Sequence, residues 1–73
     1  MQVLASEHYF FDAWREDNGE CFLEVLCGTV AIYTIKIKLT PEEIAAFERD
    51  PSTLRSLADA VSYSPSSFLD RRV

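Results

Sequence analysis

The residues of this chain best suited to nucleophilic or acid–base chemistry are one histidine and two cysteines, His8, Cys21 and Cys27. A cysteine nucleophile needs a base within hydrogen-bond reach, and no recognisable catalytic motif surrounds either cysteine. The spacing of the two cysteines is not that of a zinc site, and a single histidine does not complete one. We therefore expect no enzymatic activity, no metal ion and no cofactor.

Two other interpretations of these three residues stay open. His8 with a cysteine could serve a small enzyme or a ligand carrier, which would need a concave pocket. Cys21 and Cys27 could form a disulfide if they faced each other across a turn. We expect instead two reduced thiols packed as small apolar groups, and reduced thiols are typical of a bacterial or other cytosolic compartment. The predicted localisation is therefore cytoplasmic.

Five carboxylates cluster around residues 12–24, and Arg15 is the one cation among them. Their spacing matches no EF-hand calcium loop. One interpretation is a solvated turn whose charge discourages aggregation between sheet edges. The other is an acidic surface that steers a basic partner towards the protein. The candidate acidic partner surface consists of Asp12, Glu16, Asp17, Glu20 and Glu24.

Length and charge exclude several further classes of function. The 73 residues suffice for a single domain, 1–73, and carry 12 acidic and 7 basic side chains, a net charge of −5. This charge argues against nucleic-acid binding, because two short basic stripes, Lys36 with Lys38 and Arg71 with Arg72, are too small to outweigh it. No apolar run reaches the ~18–20 residues that cross a bilayer, so we expect no membrane span. The chain also does not open with the pattern of a signal peptide.

The first half of the chain has the pattern of three β-strands. Aromatic and β-branched residues, which favour strands, are dense in Glu7–Glu16, Cys21–Leu26 and Thr29–Leu39. Asn18-Gly19 is a strong hairpin signal, because a type I′ turn needs positive φ at both central residues. Cys27-Gly28 offers a second two-residue turn. The sequence therefore predicts an antiparallel meander.

The second half has the signals of short helices separated by proline. Thr40 predicts a helix start, because Pro41 suits the first helical position and Glu43 completes a capping box. Asp50-Pro51 ends this helix and starts another, and Ser64-Pro65 opens a last short turn. In the middle helix the apolar residues recur at the spacing of one buried face, which is formed by Leu54, Leu57, Ala58 and Val61.

Together these elements predict an α+β fold. A three-stranded antiparallel β-meander, about residues 7–39, precedes two or three short C-terminal helices, about residues 41–72, that pack on one sheet face. Two-residue turns place directly opposed side chains on the same face, and both faces of the sheet then become apolar. We assign the helices to the face that leads into the helix cap. Its predicted members are Tyr9, Phe11, Ala13, Phe22, Leu26, Ala31, Tyr33, Ile35, Ile37 and Leu39.

The opposite sheet face is then predicted to be exposed around Trp14. Large exposed apolar patches usually mark interfaces, and a second copy of the chain is the simplest partner. A slipped register or a bulge would move these residues, because a shift of one residue inverts the faces of a strand. We predict a homodimer whose interface consists of Phe10, Trp14, Leu23, Val25, Val30 and Ile32.

The segment from Leu39 onward resembles the C-terminal parts of some small bacterial proteins. LTPEEIAAF, LRSLADAV and SPSSFLDRR, within about the last 35 residues, are similar to the tails of β-meander proteins with C-terminal helices. Some of those proteins are uncharacterised, and some are immunity proteins of toxin systems. The resemblance implies a bacterial source and a non-enzymatic role. The expected function is protein–protein contact, as a homodimer or as an immunity protein or antitoxin whose acidic hairpin binds a basic toxin.

Overall fold

The computed structural model describes residues 1–28 and 32–73. These residues form an antiparallel sheet of four strands, two α-helices and a 3₁₀ helix, which confirms the predicted α+β class. The strands lie side by side in chain order, so the sheet is a meander. The elements are β1 (Gln2–Glu7), β2 (Phe11–Arg15), β3 (Cys21–Cys27), β4 (Tyr33–Lys38), α1 (Pro41–Arg49), α2 (Ser52–Tyr63) and the 3₁₀ helix (Pro65–Arg71).

The predicted number of three strands is wrong, because the predicted first strand, Glu7–Glu16, is divided by a hairpin turn. The Phe10 backbone N–H donates to the Glu7 carbonyl oxygen at 3.0 Å, and Glu7 pairs with Phe11 across the turn. Tyr9 lies in this turn with a φ of 60°, in the left-handed region that glycine and asparagine favour. The turn allows the residues before it to fold back on β2 as β1.

Removal of the left-handed backbone strain at Tyr9 should stabilise the protein. The Tyr9 side chain is 82% exposed, so Tyr9→Gly removes little packing. We expect this substitution to raise the free energy of unfolding by about 0.5–1 kcal/mol. The strain energy removed from the folded state is larger than the stability lost because glycine gives the unfolded chain more conformational entropy. Urea denaturation measures the change. His8→Gly is the matched control at a position outside the left-handed region, and an equal gain there would contradict the explanation.

The first predicted turn is one residue too short. The Glu16 N–H donates to the Glu20 carbonyl oxygen at 2.7 Å, and the Gly19 N–H donates to the Glu16 carbonyl oxygen at 2.9 Å. The loop is therefore Asp17–Gly19, and Gly19 has the left-handed φ, 90°, that closes three-residue hairpins. Relative to the predicted turn at Asn18-Gly19, β3 is shifted by one residue, which inverts its two faces.

The second predicted turn, at Cys27-Gly28, is also wrong. Cys27 is still part of β3, where it pairs with Tyr33 at the start of β4. The predicted third strand, Thr29–Leu39, corresponds to β4, and its first three residues, 29–31, lie outside the described residues.

One face of the sheet, called the inner face, forms the hydrophobic core together with α2. The predicted apolar face of α2 is confirmed, because Leu54, Ala58 and Val61 are buried and Leu57 is half-buried against them. The helix packs mainly on β3, near the middle of the sheet. The core consists of Phe11, Ala13, Cys21, Leu23, Val25, Cys27, Ile35, Ile37, Leu39, Leu54, Ala58 and Val61.

The inversion of β3 corrects the predicted assignment of its side chains. Leu23 and Val25, which were predicted on the uncovered face, are 0% exposed in the core. Phe22 and Leu26, which were predicted beneath the helices, are half-buried on the opposite side of the sheet, called the outer face. The pairing of β3 with β4 also differs from that of the predicted two-residue turn by an odd number of residues, because Cys27 pairs with Tyr33. The two inversions cancel, so the buried residues of β2 and β4 keep their predicted face.

The predicted capping box at the start of α1 is confirmed. Thr40 Oγ1 accepts the Glu43 N–H at 3.2 Å, and Glu43 Oε1 accepts the Thr40 N–H at 2.9 Å. Asp50 Oδ1 accepts the Ser52 N–H at 3.1 Å at the start of α2. In residues 1–28 and 32–73, no helix is long and apolar enough to cross a membrane.

The C-terminal residues cover part of the free edge of β4. The Val73 N–H donates to the Lys36 carbonyl oxygen at 2.9 Å, and Arg72 forms a β-bridge with Ile37. The last residues of the chain therefore occupy the backbone groups that a further strand would need at this part of the edge.

Arg71 fastens this C-terminal segment to the rest of the fold. Its guanidinium donates to both carboxylate oxygens of Glu43, at 3.0 and 2.6 Å, and to the Lys38 carbonyl oxygen at 3.1 Å. Burial of Glu43 acts to raise the pKa of its carboxyl, but the hydrogen bonds from Arg71 and Thr40 outweigh it, so this pKa lies below the ordinary glutamate value. The pair thus links the 3₁₀ helix, β4 and the N-terminus of α1.

Candidate interaction face

The outer face is the side of the sheet turned away from the core, and cross-strand pairing arranges its side chains in rows. One row is mainly apolar and contains Val3, Trp14, Phe22 and Lys38. The next row is polar and contains Ser6, Asp12, Glu24 and Lys36. Directly opposed side chains contact each other across a sheet, so each row acts as a unit.

The apolar row holds an aromatic pair with a cation above it. The rings of Trp14 and Phe22 have centroids 5.9 Å apart. Lys36 Nζ lies 4.9 Å from the Phe22 centroid and 5.8 Å from the Trp14 centroid. Trp14 Nε1 donates to Glu16 Oε1 at 2.6 Å. The indole is therefore fixed in orientation, and its face is accessible to a cation.

The polar row places two carboxylates against each other. Asp12 and Glu24 are paired directly across β2 and β3, and the Ser6 hydroxyl donates to Asp12. Within the described ranges, no lysine or arginine nitrogen lies within 4.0 Å of either carboxylate. Like charges in directly opposed positions destabilise a sheet. The Asp12–Glu24 pair is therefore a concentration of negative charge that forms no close ion pair in the described part of the chain, although Lys36 is the next member of the row.

The other three members of the predicted acidic surface have partners within the chain. Asp17 lies 2.8 Å from the Met1 amino group, and Glu20 lies 3.7 Å from Lys38 Nζ. Glu16 accepts the Trp14 indole N–H. The structure thus divides the predicted surface: Asp12 and Glu24 lie on the outer face and, among the described residues, form no ion pair within 4.0 Å.

Two hollows flank the carboxylate pair, with volumes of about 330 and 230 Å³. Ser6, Asp12 and Glu24 border both of them. The larger hollow has apolar walls formed by Met1, Val3 and Trp14. The smaller hollow lies beside the exposed hairpin turn that carries His8 and Tyr9, whose rings are in contact at an angle of 46°, with centroids 4.0 Å apart.

A β-bulge lies beside the larger hollow. The register of β1 against β2 shifts between Val3 and Ala5, and Leu4 is the extra residue. The bulge brings Val3 and Ser6 opposite Trp14 and Asp12, so both lie on the outer face, whereas Ala5 pairs with Ala13 on the inner face. Ser6 is short, and it borders the hollow together with Val3 and Trp14.

The predicted interface residues are distributed over several parts of the molecule. Trp14 lies on the outer face as expected, and Ile32 is 72% exposed. Phe10, at the hairpin turn, is half-buried and packs against the core. Leu23 and Val25 belong to the core and cannot contact a partner. Val30 lies outside the described residues. Sequence reasoning missed Val3 and Phe22 on the outer face, because neither the bulge nor the longer turn has a distinctive signal.

The three residues considered for catalysis are not brought together. Cys21 and Cys27 lie at opposite ends of β3, about 20 Å apart at the rise of a strand, whereas a disulfide needs Cα atoms within about 7 Å. Both thiols are free and buried, and burial raises the pKa of the Cys27 thiol. His8 is exposed at the hairpin turn, and the hollow beside it contains no cysteine.

The part of the chain that the structure describes contains no cluster of three or more His, Cys, Asp or Glu side chains that could hold a metal ion. Its most distinctive chemical feature is instead the outer face, where an accessible indole lies beside two opposed carboxylates and two hollows. Comparison of the chain with protein-family models, curated proteins and solved structures finds no match.

Proposed function

We propose that this chain is a non-catalytic binding protein whose outer sheet face recognises a basic surface of another protein. The observation that carries the proposal is the Asp12–Glu24 pair, because these carboxylates are opposed across the strands and form no ion pair within 4.0 Å among the described residues. A lysine or arginine of a partner would add charge-assisted hydrogen bonds at this pair.

The aromatic row beside the carboxylates supplies apolar contact. Tryptophan and arginine are the residues that most often dominate binding energies at interfaces. The position of Lys36 above Trp14 and Phe22 indicates that a cation is favourable at these ring faces. A partner arginine can therefore contact the carboxylates with its charged end and the rings with its planar face.

The charge of the chain favours a basic protein over other partners. A net charge of −5 attracts basic proteins at long range and repels the phosphates of nucleic acids. The resemblance of the C-terminal segment to immunity proteins agrees with this choice. We propose that the protein acts in the bacterial cytoplasm, where its outer face would cover a basic toxin surface.

A homodimer is the second candidate, and one observation favours it. Lys36 pairs in register with Glu24 on the same outer face. Two copies related by a twofold axis could each place this lysine near the carboxylates of the other, because a twofold interface brings unlike residues of one patch together. Trp14 would then lie in the interface between the copies.

Affinity capture of the tagged protein from a lysate of the organism that makes it, at low and high salt, tests the proposal. Native mass spectrometry of the eluate gives the mass and stoichiometry of what is bound. We expect a stoichiometric basic protein that high salt releases. The double variant Asp12→Asn, Glu24→Gln should bind this protein about tenfold more weakly, since two charge contacts are lost.

A matched control removes the same charge elsewhere. Glu42→Gln with Asp59→Asn changes two exposed helix carboxylates and should leave capture unchanged. Capture that is equally strong with the outer-face variant would contradict the proposed site. Recovery of only a two-copy assembly, which Trp14→Ala converts to single copies, would favour the homodimer.

A further inference from the structure

We infer that the free edge of β1 accepts an extended segment of the basic partner as an additional strand, with a lysine or arginine side chain reaching over Ser6 to Asp12 and Glu24. This inference rests on the proposed function and specifies how the partner is held. It combines an edge that offers backbone hydrogen bonds with a hollow that offers a matching charge.

The two edges of the sheet differ in how they are protected. Across residues 1–28 and 32–73, β1 pairs with β2 alone, whereas the edge of β4 is covered at Lys36 and Ile37 by the C-terminal residues. An edge strand presents unpaired N–H and C=O groups that can pair with another chain. β1 contains no lysine or proline, and the one edge-protecting feature it has is the bulge at Leu4, which leaves Ala5–Glu7 in regular pairing with β2.

The hollow beside β1 lies where a side chain of an added strand would enter. Neighbouring strands are about 4.8 Å apart, so an added strand would lie about 10 Å from β2 on the far side of β1. Ser6 is short, and it borders the hollow together with Val3, Asp12 and Trp14. A long basic side chain can therefore cross β1 at this point and place its charge at Asp12 and Glu24, with its aliphatic part against Trp14.

Strand addition also predicts a pattern in the bound segment. Main-chain hydrogen bonds supply affinity in this mode of recognition, and alternate side chains supply specificity. The partner residue beside Ser6 should be basic, because it faces the carboxylates. The outer-face residue nearest Val3 should be apolar, because Val3 is 62% exposed and Met1 and Trp14 form the adjoining wall.

Titration of the isotopically labelled protein with a capped octapeptide of four Thr-Arg repeats tests the inference. The alternation places every arginine on one side of an extended strand. Hydrogen exchange is followed at those amides of Gln2–Glu7 that exchange rapidly in the free protein. At a peptide concentration about ten times the Kd, their exchange should slow about tenfold, because only the unbound fraction exchanges.

Two peptide controls separate the backbone from the charge. An octapeptide of four Thr-Gln repeats keeps the extended pattern without charge, and it should bind about tenfold more weakly. A Thr-Arg peptide with alternate residues N-methylated keeps the charge and loses the donors on one edge. Two such peptides are made, one N-methylated at the threonines and one at the arginines. At least one of them should bind about tenfold more weakly, because its backbone hydrogen bonds to β1 are lost.

Two protein variants test the docking position. Ser6→Phe fills the hollow, and Asp12→Asn with Glu24→Gln removes its charge, so both should weaken the Thr-Arg peptide about tenfold. Glu42→Gln with Asp59→Asn should bind it normally. Retention of the amide spectrum outside β1 and β2 shows that each variant is folded.

Three results would overturn the inference. Equal binding of Thr-Arg and N-methylated peptides, without protection of β1 amides, would leave the proposed function standing and exclude strand addition. Equal binding of Thr-Arg and Thr-Gln peptides would exclude the basic side chain. Protection of β1 amides that rises with protein concentration alone would assign the edge to a second copy. If the proposed function itself is wrong, the lysate capture will recover no basic partner, whatever the peptide experiments show.

Discussion

Leu23→Ala is expected to leave the protein largely unfolded at 25 °C. Leu23 is 0% exposed in the core, on the strand against which α2 packs most extensively. Replacement of a fully buried leucine by alanine costs about 3–5 kcal/mol. A single core in a chain of this length seldom supplies more than ~3–5 kcal/mol of net stability. Circular dichroism and urea denaturation should therefore show the loss of the folded state.

Phe22→Ala is the matched control for this experiment. Phe22 is the preceding residue of the same strand, and its half-buried ring lies on the outer face beside Trp14. Its truncation should cost about 1–2 kcal/mol, because only part of the ring surface is removed from water. If Phe22→Ala lowered the free energy of unfolding more than Leu23→Ala, Phe22 would be the core residue. β3 would then have the register that a two-residue turn predicts.

Glu43→Ala is expected to lower the free energy of unfolding by about 1–3 kcal/mol. Glu43 completes the capping box with Thr40 and accepts two hydrogen bonds from Arg71. Alanine removes both functions at once. Glu43→Gln keeps an acceptor for the cap and loses the charge, so it should cost about half as much. Thermal or urea denaturation of the two variants separates the cap from the ion pair.

The lowered pKa of Glu43 also predicts how stability depends on pH. A carboxyl whose pKa is lower in the folded state contributes stability above its unfolded pKa, about 4.3 for glutamate. This contribution is lost as the pH falls from that value through the lower folded-state pKa. Between about pH 6 and pH 3, stability should fall more steeply for the native protein than for Glu43→Gln. Glu42→Gln should keep the native slope, and a native slope in Glu43→Gln would contradict the assignment.

The helical half of the fold follows closely from the sequence. The start of α1 is encoded locally, because Thr40, Pro41 and Glu43 satisfy the backbone groups of the first turn without help from the rest of the chain. The buried face of α2 is encoded by the spacing of Leu54, Ala58 and Val61. Such signals depend on neighbours in sequence and are therefore visible before the fold is known.

The sheet is less predictable because its register depends on single residues in turns. Asp17–Gly19 forms a three-residue loop, and its sequence is also compatible with the shorter type I′ turn. The turn that separates β1 from β2 places Tyr9 in a conformation that tyrosine seldom adopts. Local preference at Tyr9 opposes this turn, and pairing of β1 with β2 favours it. A prediction from local signals therefore misses β1.

The candidate site was predictable only in part for the same reason. Trp14, Asp12 and Glu24 are recognisable from the sequence as an exposed aromatic residue and members of an acidic cluster. Their position on one face depends on the register of β3, and the bulge at Leu4 decides which residues of β1 lie beside them. Neither feature follows from residue type or spacing. The residues of the site were thus visible in the sequence, but their arrangement required the fold.

The C-terminal segment that lies on β4 also limits the number of sheet edges at which another chain can associate. In the described part of the chain, Val73 donates to the Lys36 carbonyl oxygen and Arg72 is bridged to Ile37, so part of the β4 edge is covered, whereas β1 pairs with β2 alone. A sheet with two open edges can add subunits head to tail without limit and grow into a fibre. With the proposed addition at β1, the covered part of β4 opposes growth from the other edge. We therefore expect closed complexes of defined stoichiometry rather than edge-to-edge polymers while Arg72 and Val73 stay in place.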